Sequence, residues 1–342
     1  MSLNNTEDVI IKELDNIVKD SFANSHTCNS FALFKSVAGS LTLVYQSINY
    51  NLKIYLINLS LLKKELKINK SCNNYISCIS HIIEPSSKNY LNRDLILIGF
   101  KELNMVHILE GDFWNCILIL KDINAQGYLG PVVFLREDDK ICFITSNENS
   151  NNINGIQIFN LDGKKEKEIN DSRINIFYFE IYSNEKDIFI IAGSDLKVIS
   201  YDYNKNKIFK EYSDKKDCDE KEYFNGSHYC VKVVKIKNLI QLIDSCLDGN
   251  IRIWDFIQGD LIKRIKISND PLFGICLMNN FLVIGTNQKV VLLSLNENYD
   301  FHVLPIPKQS ILTIKELDTK KNSFIVQGYN DNNITSYTII FL

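Results

Sequence analysis

The chain has 342 residues, of which 45% are hydrophobic, 11% aromatic and 23% charged; this composition is typical of a folded protein and excludes a disordered one. Its net charge is −3, from 38 basic and 41 acidic residues without a long basic block. The phosphate attraction behind most nucleic-acid binding therefore has no obvious source. Because no Pro-, Gly- or Ser-rich linker divides the chain, we expect a single domain over residues 1–342.

The N-terminal segment has apolar residues at helical spacing. They are Val9, Ile10, Leu14, Ile17 and Val18. This spacing predicts an amphipathic helix from about Glu7 to Val18. No basic segment followed by a long apolar run precedes it, so a secretion signal is not expected.

The cysteines and the longest uncharged stretch indicate the compartment. Nine cysteines are scattered from Cys28 to Cys276, mostly within strand-like runs, which is typical of buried free thiols in a reducing environment. The uncharged stretch from Pro271 to Gln288 is interrupted by Gly and Asn and is too polar to span a bilayer. We expect an intracellular protein, in the cytoplasm or the nucleus, with no transmembrane segment.

An acidic run precedes His228. Its acidic residues are Asp217, Asp219, Glu220 and Glu222. It lacks the Gly at the sixth position and the distant Glu of a calcium-binding loop. Two interpretations remain, a solvated connection and a loop that docks a partner.

The stretch from Leu242 to Lys263 has the clearest local pattern in the chain. Three short apolar runs are separated by turn residues at Asp248-Gly249 and at Gln258-Gly259-Asp260. Glycine supplies the positive φ that hairpin loops require. The pattern predicts three antiparallel strands joined by tight turns.

These residues resemble a WD repeat, the sequence unit of one blade of a β-propeller. Asp248-Gly249 precedes the run from Ile251 to Asp255, and Ser227-His228 stands upstream where the family usually has Gly-His. In that family a His, a Ser or Thr, the turn Asp and the Trp form a hydrogen-bonded chain inside the blade. The resemblance implies such a network from His228, Asp248 and Trp254. Cys246 falls at the hydroxyl position, where neighbouring Ser245 can partly compensate.

The pattern of the Trp254 unit can be aligned with other parts of the chain. We call this alignment the repeat frame, and each unit is defined by the residue at the position of Trp254. Seven positions, 40 to 53 residues apart, satisfy it: Tyr55, His107, Phe159, Tyr201, Trp254, Ser294 and Tyr337. The resemblance thus implies an all-β fold, a single closed seven-bladed β-propeller of four-stranded antiparallel blades. The last unit stops near the end of its third strand. Ring closure would therefore need a strand from within Val9 to Phe22, an alternative to the N-terminal helix.

The sequence lacks the common motifs for catalysis. There is no His-Glu-x-x-His, no Gly-x-Ser-x-Gly and no phosphate loop ending in Gly-Lys-Ser/Thr. His228, Cys230 and Cys246 lack a fourth zinc ligand and are better explained as a core His beside buried thiols. We expect no catalytic residue, no cofactor and no metal site.

The resemblance implies a non-catalytic scaffold or adaptor, a monomeric ring within a hetero-complex whose protein partners bind loops on the ring faces. The charged loop with Asp217, Asp219, Glu220 and Glu222 is the candidate docking site. One alternative is a phosphoinositide-binding propeller, for which Lys263-Arg264 replaces an Arg-Arg pair. A further alternative is a non-catalytic subunit of an RNA- or protein-modifying enzyme.

Overall fold

The structure is a computed structural model. It describes residues 10–13, 20–21, 31–46, 52–56, 61–66, 76–85, 92–100, 104–111, 114–121, 123, 127–149, 155–170, 176–195, 197–213, 228–236, 238–287, 289–296, 298–304, 310–318, 323–329 and 334–341. Over these ranges the chain is all-β, as predicted. No helix in them is long and apolar enough to cross a membrane.

The chain divides into two compact units. The first comprises residues 1–28, 196–198 and 210–342, and the second comprises residues 29–195 and 199–209. The N-terminal strands of the first unit are β1 (Ile10–Glu13) and β2 (Asp20–Ser21).

The second unit holds consecutive four-stranded sheets, each formed in chain order. Its first sheet contains β3 (Phe31–Lys35), β4 (Leu41–Gln46), β5 (Leu52–Leu56) and β6 (Leu61–Leu66). The next contains β7 (Ile76–Glu84), β8 (Arg93–Phe100), β9 (Met105–Glu110) and β10 (Asn115–Leu120). Then follow β11 (Gly127–Glu137), β12 (Lys140–Asn149), β13 (Gly155–Asn160) and β14 (Lys165–Asn170). A fourth sheet, mainly in this unit, contains β15 (Ile176–Ser183), β16 (Ile188–Ser194), β17 (Val198–Asp202) and β18 (Lys207–Tyr212).

The first unit continues the pattern. One sheet contains β19 (His228–Ile236), β20 (Leu239–Cys246), β21 (Asn250–Asp255) and β22 (Leu261–Lys266). The next contains β23 (Gly274–Met278), β24 (Phe281–Gly285), β25 (Val290–Ser294) and β26 (Phe301–Leu304). The last contains β27 (Ser310–Asp318), β28 (Ser323–Tyr329) and β29 (Ile334–Phe341).

The N-terminal strands complete this last sheet. Ile10 pairs with Phe341 and Glu13 with Thr338, while Asp20 pairs with Thr335. The helix predicted from Glu7 to Val18 is therefore wrong at residues 10–13, which are extended. The alternative, a strand from within Val9 to Phe22 that joins the C-terminal sheet, agrees with both pairings. The remainder of the predicted helix lies outside the described residues.

The sheets repeat in detail as well as in strand number. The first strand carries a register shift near its start in five sheets, at Ile76/Cys78, Leu129/Val132, Ile176/Tyr178, His228/Cys230 and Ile311/Thr313. All seven positions of the sequence frame fall in the third strand of their sheet. Three of them, Tyr55, Phe159 and Trp254, each lie at a register shift in the pairing of the third with the fourth strand of their sheet. The seven positions thus occupy equivalent places in repeated antiparallel sheets.

The hydrophobic core lies between successive sheets within each unit. In the second unit, side chains of β3–β5 pack with those of β7–β9, and others of β8 and β9 pack with β11–β13. In the first unit, side chains of β23–β26 pack with those of β27–β29. Burial between sheets means that each sheet is stabilised chiefly by its neighbours in sequence.

Candidate functional site

The sheet β19–β22 holds the residues that the sequence singles out. Its turns lie at residues 247–249 and 256–260 and use Gly249 at φ 77° and Gly259 at φ 82°, as the sequence predicts. At Gly249 a Cβ would lie 2.0 Å from the carbonyl oxygen of Ser268. Glycine is required there for space as well as for backbone conformation.

A hydrogen-bonded network crosses this sheet. His228 Nδ1 lies 2.8 Å from Asp244 Oδ1, and the Trp254 indole nitrogen donates to Asp244 Oδ2 at 2.5 Å. His228 and Asp244 have no solvent exposure, and Trp254 has almost none. The Asp244 side chain thus contacts two rings at once, in a low-dielectric environment where hydrogen bonds are strengthened.

The carboxylate in this network differs from the one the sequence predicted. Asp248 was expected to join His228 and Trp254, but it instead binds Arg252, with Nη2 2.6 Å from Oδ2. The reason is geometric, because Asp244 lies in β20, the strand between β19 with His228 and β21 with Trp254, whereas Asp248 lies in the turn. Asp244 is also 4.0 Å from Arg252, so the guanidinium links the two carboxylates.

Asp248 is adapted to hold the buried Arg252. Burial alone would raise the Asp248 pKa, but the Arg252 charge and hydrogen bonds that include the backbone amide of Asn250 lower it below its ordinary value. The carboxylate is therefore ionised near neutral pH, and it compensates a guanidinium with no exposed surface.

Ser245 and Cys246 do not extend the network in the expected way. Ser245 Oγ donates to the Cys230 carbonyl at 3.4 Å, which ties β20 to β19. Burial raises the Cys246 pKa to about 12, so the thiol is un-ionised and unreactive at neutral pH. The described cysteines are free thiols, and five of the six are buried, as predicted; Cys116 is exposed.

The network can stabilise a sheet, but its buried position leaves it no access to a substrate. A catalytic His must reach the proton that it transfers, and His228 has no exposed surface. Within the part of the chain that the structure describes, no three His, Cys, Asp or Glu side chains are grouped to hold a metal ion.

A second His–Asp pair, not predicted from the sequence, lies in the second unit. His81 Nε2 is 2.9 Å from Asp94 Oδ1, and the Val37 amide donates to the other oxygen at 2.9 Å. Phe34 stacks on the imidazole at a centroid distance of 3.6 Å. Burial lowers the His81 pKa, with partial compensation by Asp94. The sequence signal for this pair was Asp94 itself, which stands at the start of the apolar run of β8. A carboxylate that is buried with such a strand needs a polar partner.

Two other predicted features have different outcomes. The four acidic residues of the docking loop, Asp217, Asp219, Glu220 and Glu222, lie outside the described residues. Lys263 and Arg264 are consecutive on β22, opposite Ile253 and Arg252. Consecutive strand residues point to opposite faces of a sheet, so the two basic side chains do not form a pair that could grip one head group.

No family model matches the chain, and the search of curated proteins found no similar protein.

Proposed function

We propose that the protein is a single closed seven-bladed β-propeller of the WD-repeat type that acts as a non-catalytic scaffold for protein partners. The consecutive four-stranded sheets and their recurring register shifts support the fold. Further support comes from packing within each unit, where the first strand of one sheet lies beside the first strand of the next. The Cys78 thiol donates to the Val132 carbonyl, and Cys230 donates to Ile275, at 3.0 and 3.6 Å. Such contacts between first strands are those of blades arranged around an axis.

The pairing of β1 and β2 with β29 supports ring closure. A sheet near the C-terminus that takes its outermost strand from the N-terminus joins the ends of the chain, which removes exposed edges.

The burial of His228 and Asp244 is the observation that carries the non-catalytic assignment. They resemble a His–carboxylate dyad, yet both are fully buried and hold a sheet together. A rigid array of sheets with variable connections is suited to presenting binding loops, because change in a connection costs the core little.

The docking loop is tested by replacing its four acidic residues, Asp217, Asp219, Glu220 and Glu222, with Ser. A partner captured from native lysate with the full chain should bind the variant more weakly and with less salt dependence, because exposed charges act over a screened range. The unfolding free energy should change by no more than about 0.5 kcal/mol. A variant with Lys164 and Lys207 replaced by Ser, both exposed, is the control.

If partner affinity were unchanged at several salt concentrations, the loop would be only a solvated connection and not a docking site. Turnover of a substrate by the purified chain would overturn the scaffold function. Flotation with phosphoinositide vesicles would favour lipid binding instead, and co-purification with a catalytic chain would favour the role of an enzyme subunit.

A further inference from the structure

Two edge strands of the first unit, β22 and β26, expose apolar side chains beside basic ones. Phe301 and Val303 on β26 are 46% and 47% exposed. The outermost strand β14 instead exposes Lys165, Glu166 and Glu168, the charged side chains that normally protect a sheet edge.

The apolar side chains of β26 face the preceding sheet. Leu304 packs with Ile314 and Phe324 in the core against the following sheet. Because strand side chains alternate between faces, Phe301 and Val303 lie on the opposite face, on the side of β22.

Contacts at Tyr299 show how close the two sheets are. The Lys263 ammonium lies 4.7 Å from the centre of the Tyr299 ring, a cation–π contact between β22 and the segment leading into β26. Tyr299 has φ 55°, and its amide is held by the Asn296 side chain at 3.0 Å. A bulky residue rarely adopts this backbone region, so the surrounding structure holds the Tyr299 backbone in this conformation. We call the surface lined by Lys263, Ile265, Tyr299, Phe301 and Val303 the β22/β26 groove.

The charge of the groove is one-sided. Strand β22 carries Lys263, Arg264 and Lys266 and no acidic residue. Among the described residues, Lys266 contacts the Asp248 carbonyl oxygen, and neither it nor Lys263 has a carboxylate partner. Lys263 lies on the same face of β22 as Ile265, whereas Lys266 lies on the opposite face. Lys263 is exposed, and its ammonium group is available to an anionic ligand in the groove.

We propose that the β22/β26 groove binds an extended segment of a partner protein in which apolar residues alternate with Asp or Glu. Apolar side chains of the segment would cover Phe301 and Val303, and carboxylates on its other side would meet Lys263, which lies on the groove face of β22. Strands β22 and β26 each end their sheet in the described strand order, which leaves main-chain groups for an added strand.

The groove favours a peptide over a membrane surface. Phe301 and Val303 face sideways toward β22 and do not project from a loop tip, whereas insertion requires side chains that reach into the lipid. The net charge of −3 also opposes approach of the whole chain to an anionic bilayer.

The test uses purified full-length chain and a displayed library of random dodecapeptides. We expect enriched peptides to share alternating apolar and acidic residues. The enriched peptides are then synthesised, and their affinity is measured for the wild-type chain and for its variants. The protein substitutions Val303→Asp and Lys263→Glu should each weaken peptide binding about tenfold or more. Phe301→Ala is a milder second variant. The matched controls are Ile119→Asp, an exposed apolar position on β10, and Lys207→Glu, an exposed Lys on β18; both should bind as the wild type does.

A charge swap gives the sharpest readout. A peptide whose acidic residues are changed to Lys should bind Lys263→Glu better than it binds the wild type. The proposal is overturned if no peptide is enriched, if the enriched peptides lack acidic residues, or if they bind all groove variants equally. Vesicles of phosphatidylcholine with phosphatidylserine that bind the chain, and lose binding in Lys263→Glu, would overturn it in favour of a lipid surface.

This inference rests on the proposed scaffold function, but the two fail separately. One result would be a partner from the lysate that needs the acidic loop for binding and still binds Val303→Asp and Lys263→Glu as tightly as the wild type. That result would support the scaffold function and overturn the groove proposal. Peptides that bind the groove while the purified chain turns over a substrate would remove the scaffold function alone.

Discussion

His228 and Asp244 share a hydrogen bond of 2.8 Å at a point in the β19–β22 sheet that no solvent reaches. The pair joins the start of β19 to the middle of β20, and Trp254 extends it to β21. Three of the four strands in this sheet are therefore connected through one carboxylate, in addition to their backbone ladders.

Removal of that carboxylate should be costly. Asp244→Ala would leave the rings of His228 and Trp254 without their acceptor and would deprive buried Arg252 of a nearby charge. We expect the unfolding free energy, measured by urea titration, to fall by about 3 kcal/mol or more. Asp260→Ala, at an exposed turn position of the same sheet, should change it by less than about 0.5 kcal/mol. Equal losses in the two variants would mean that the network does not stabilise the sheet.

Gly249→Ala should destabilise the protein far more than an alanine at another left-handed glycine. Gly249 and Gly111 both have positive φ, but a Cβ at Gly111 has no heavy atom within 4 Å. Gly111→Ala should therefore cost only the backbone term of about 1–2 kcal/mol. Gly249→Ala adds a clash with the Ser268 carbonyl, and its urea midpoint should be clearly lower. If both midpoints fell equally, the packing of residue 268 against the turn would be wrong.

Deletion of residues 1–21 should expose the edge of β29. This removes β1 and β2, which pair with one edge of β29, while β28 stays paired with the other edge. An unpaired edge promotes association with other chains. We expect a lower melting temperature and a shift to larger species in size-exclusion chromatography. Deletion of residues 1–9, which retains β1 and β2, is the control and should elute as the full chain does. A monodisperse, equally stable product from the longer deletion would argue against closure by the N-terminus.

His107 should make stability decrease as the pH falls. Burial, with a smaller contribution from Lys121, lowers the His107 pKa to about 4. The unfolded chain, with a His pKa of about 6.5, therefore takes up a proton that the folded chain does not. The His107 contribution is absent well above pH 6.5 and grows unfavourably as the pH falls from there toward 4. The unfolding free energy is measured by urea titration at pH 7 and at pH 5. Its decrease between these two pH values should be smaller for His107→Gln than for the wild type. Exposed His302→Gln should follow the wild type, and identical behaviour of all three chains would contradict the assignment.

Local patterns in the sequence predicted much of the fold. The three strands and two turns between Leu242 and Lys263 were predictable because glycines mark the turns and apolar residues mark the strands. The frame built on Trp254 located the third strand of every sheet, since strand and turn spacing is encoded within each repeat.

The failures involve distant or cross-strand contacts. The apolar residues around Ile10 recur at helical spacing, but Ile10 lies in a strand that pairs with Phe341. Local periodicity cannot reveal a strand partner so far away in the sequence. Asp244 was overlooked because the turn residue Asp248 fits the repeat pattern, whereas the network depends on which carboxylate lies on β20, between the strands of His228 and Trp254. The β22/β26 groove needs two sheets in contact, so only the structure could show it.

The pairing of Glu13 with Thr338 also fixes an order of events during synthesis. About 325 residues separate these partners, so at 5–20 residues per second the N-terminal strands wait on the order of tens of seconds for β29 to be made. During this interval, β1 and β2 lack their native partner and can pair with other nascent chains. The open edge of the last sheet is therefore covered by its N-terminal strands only after β29 has been synthesised.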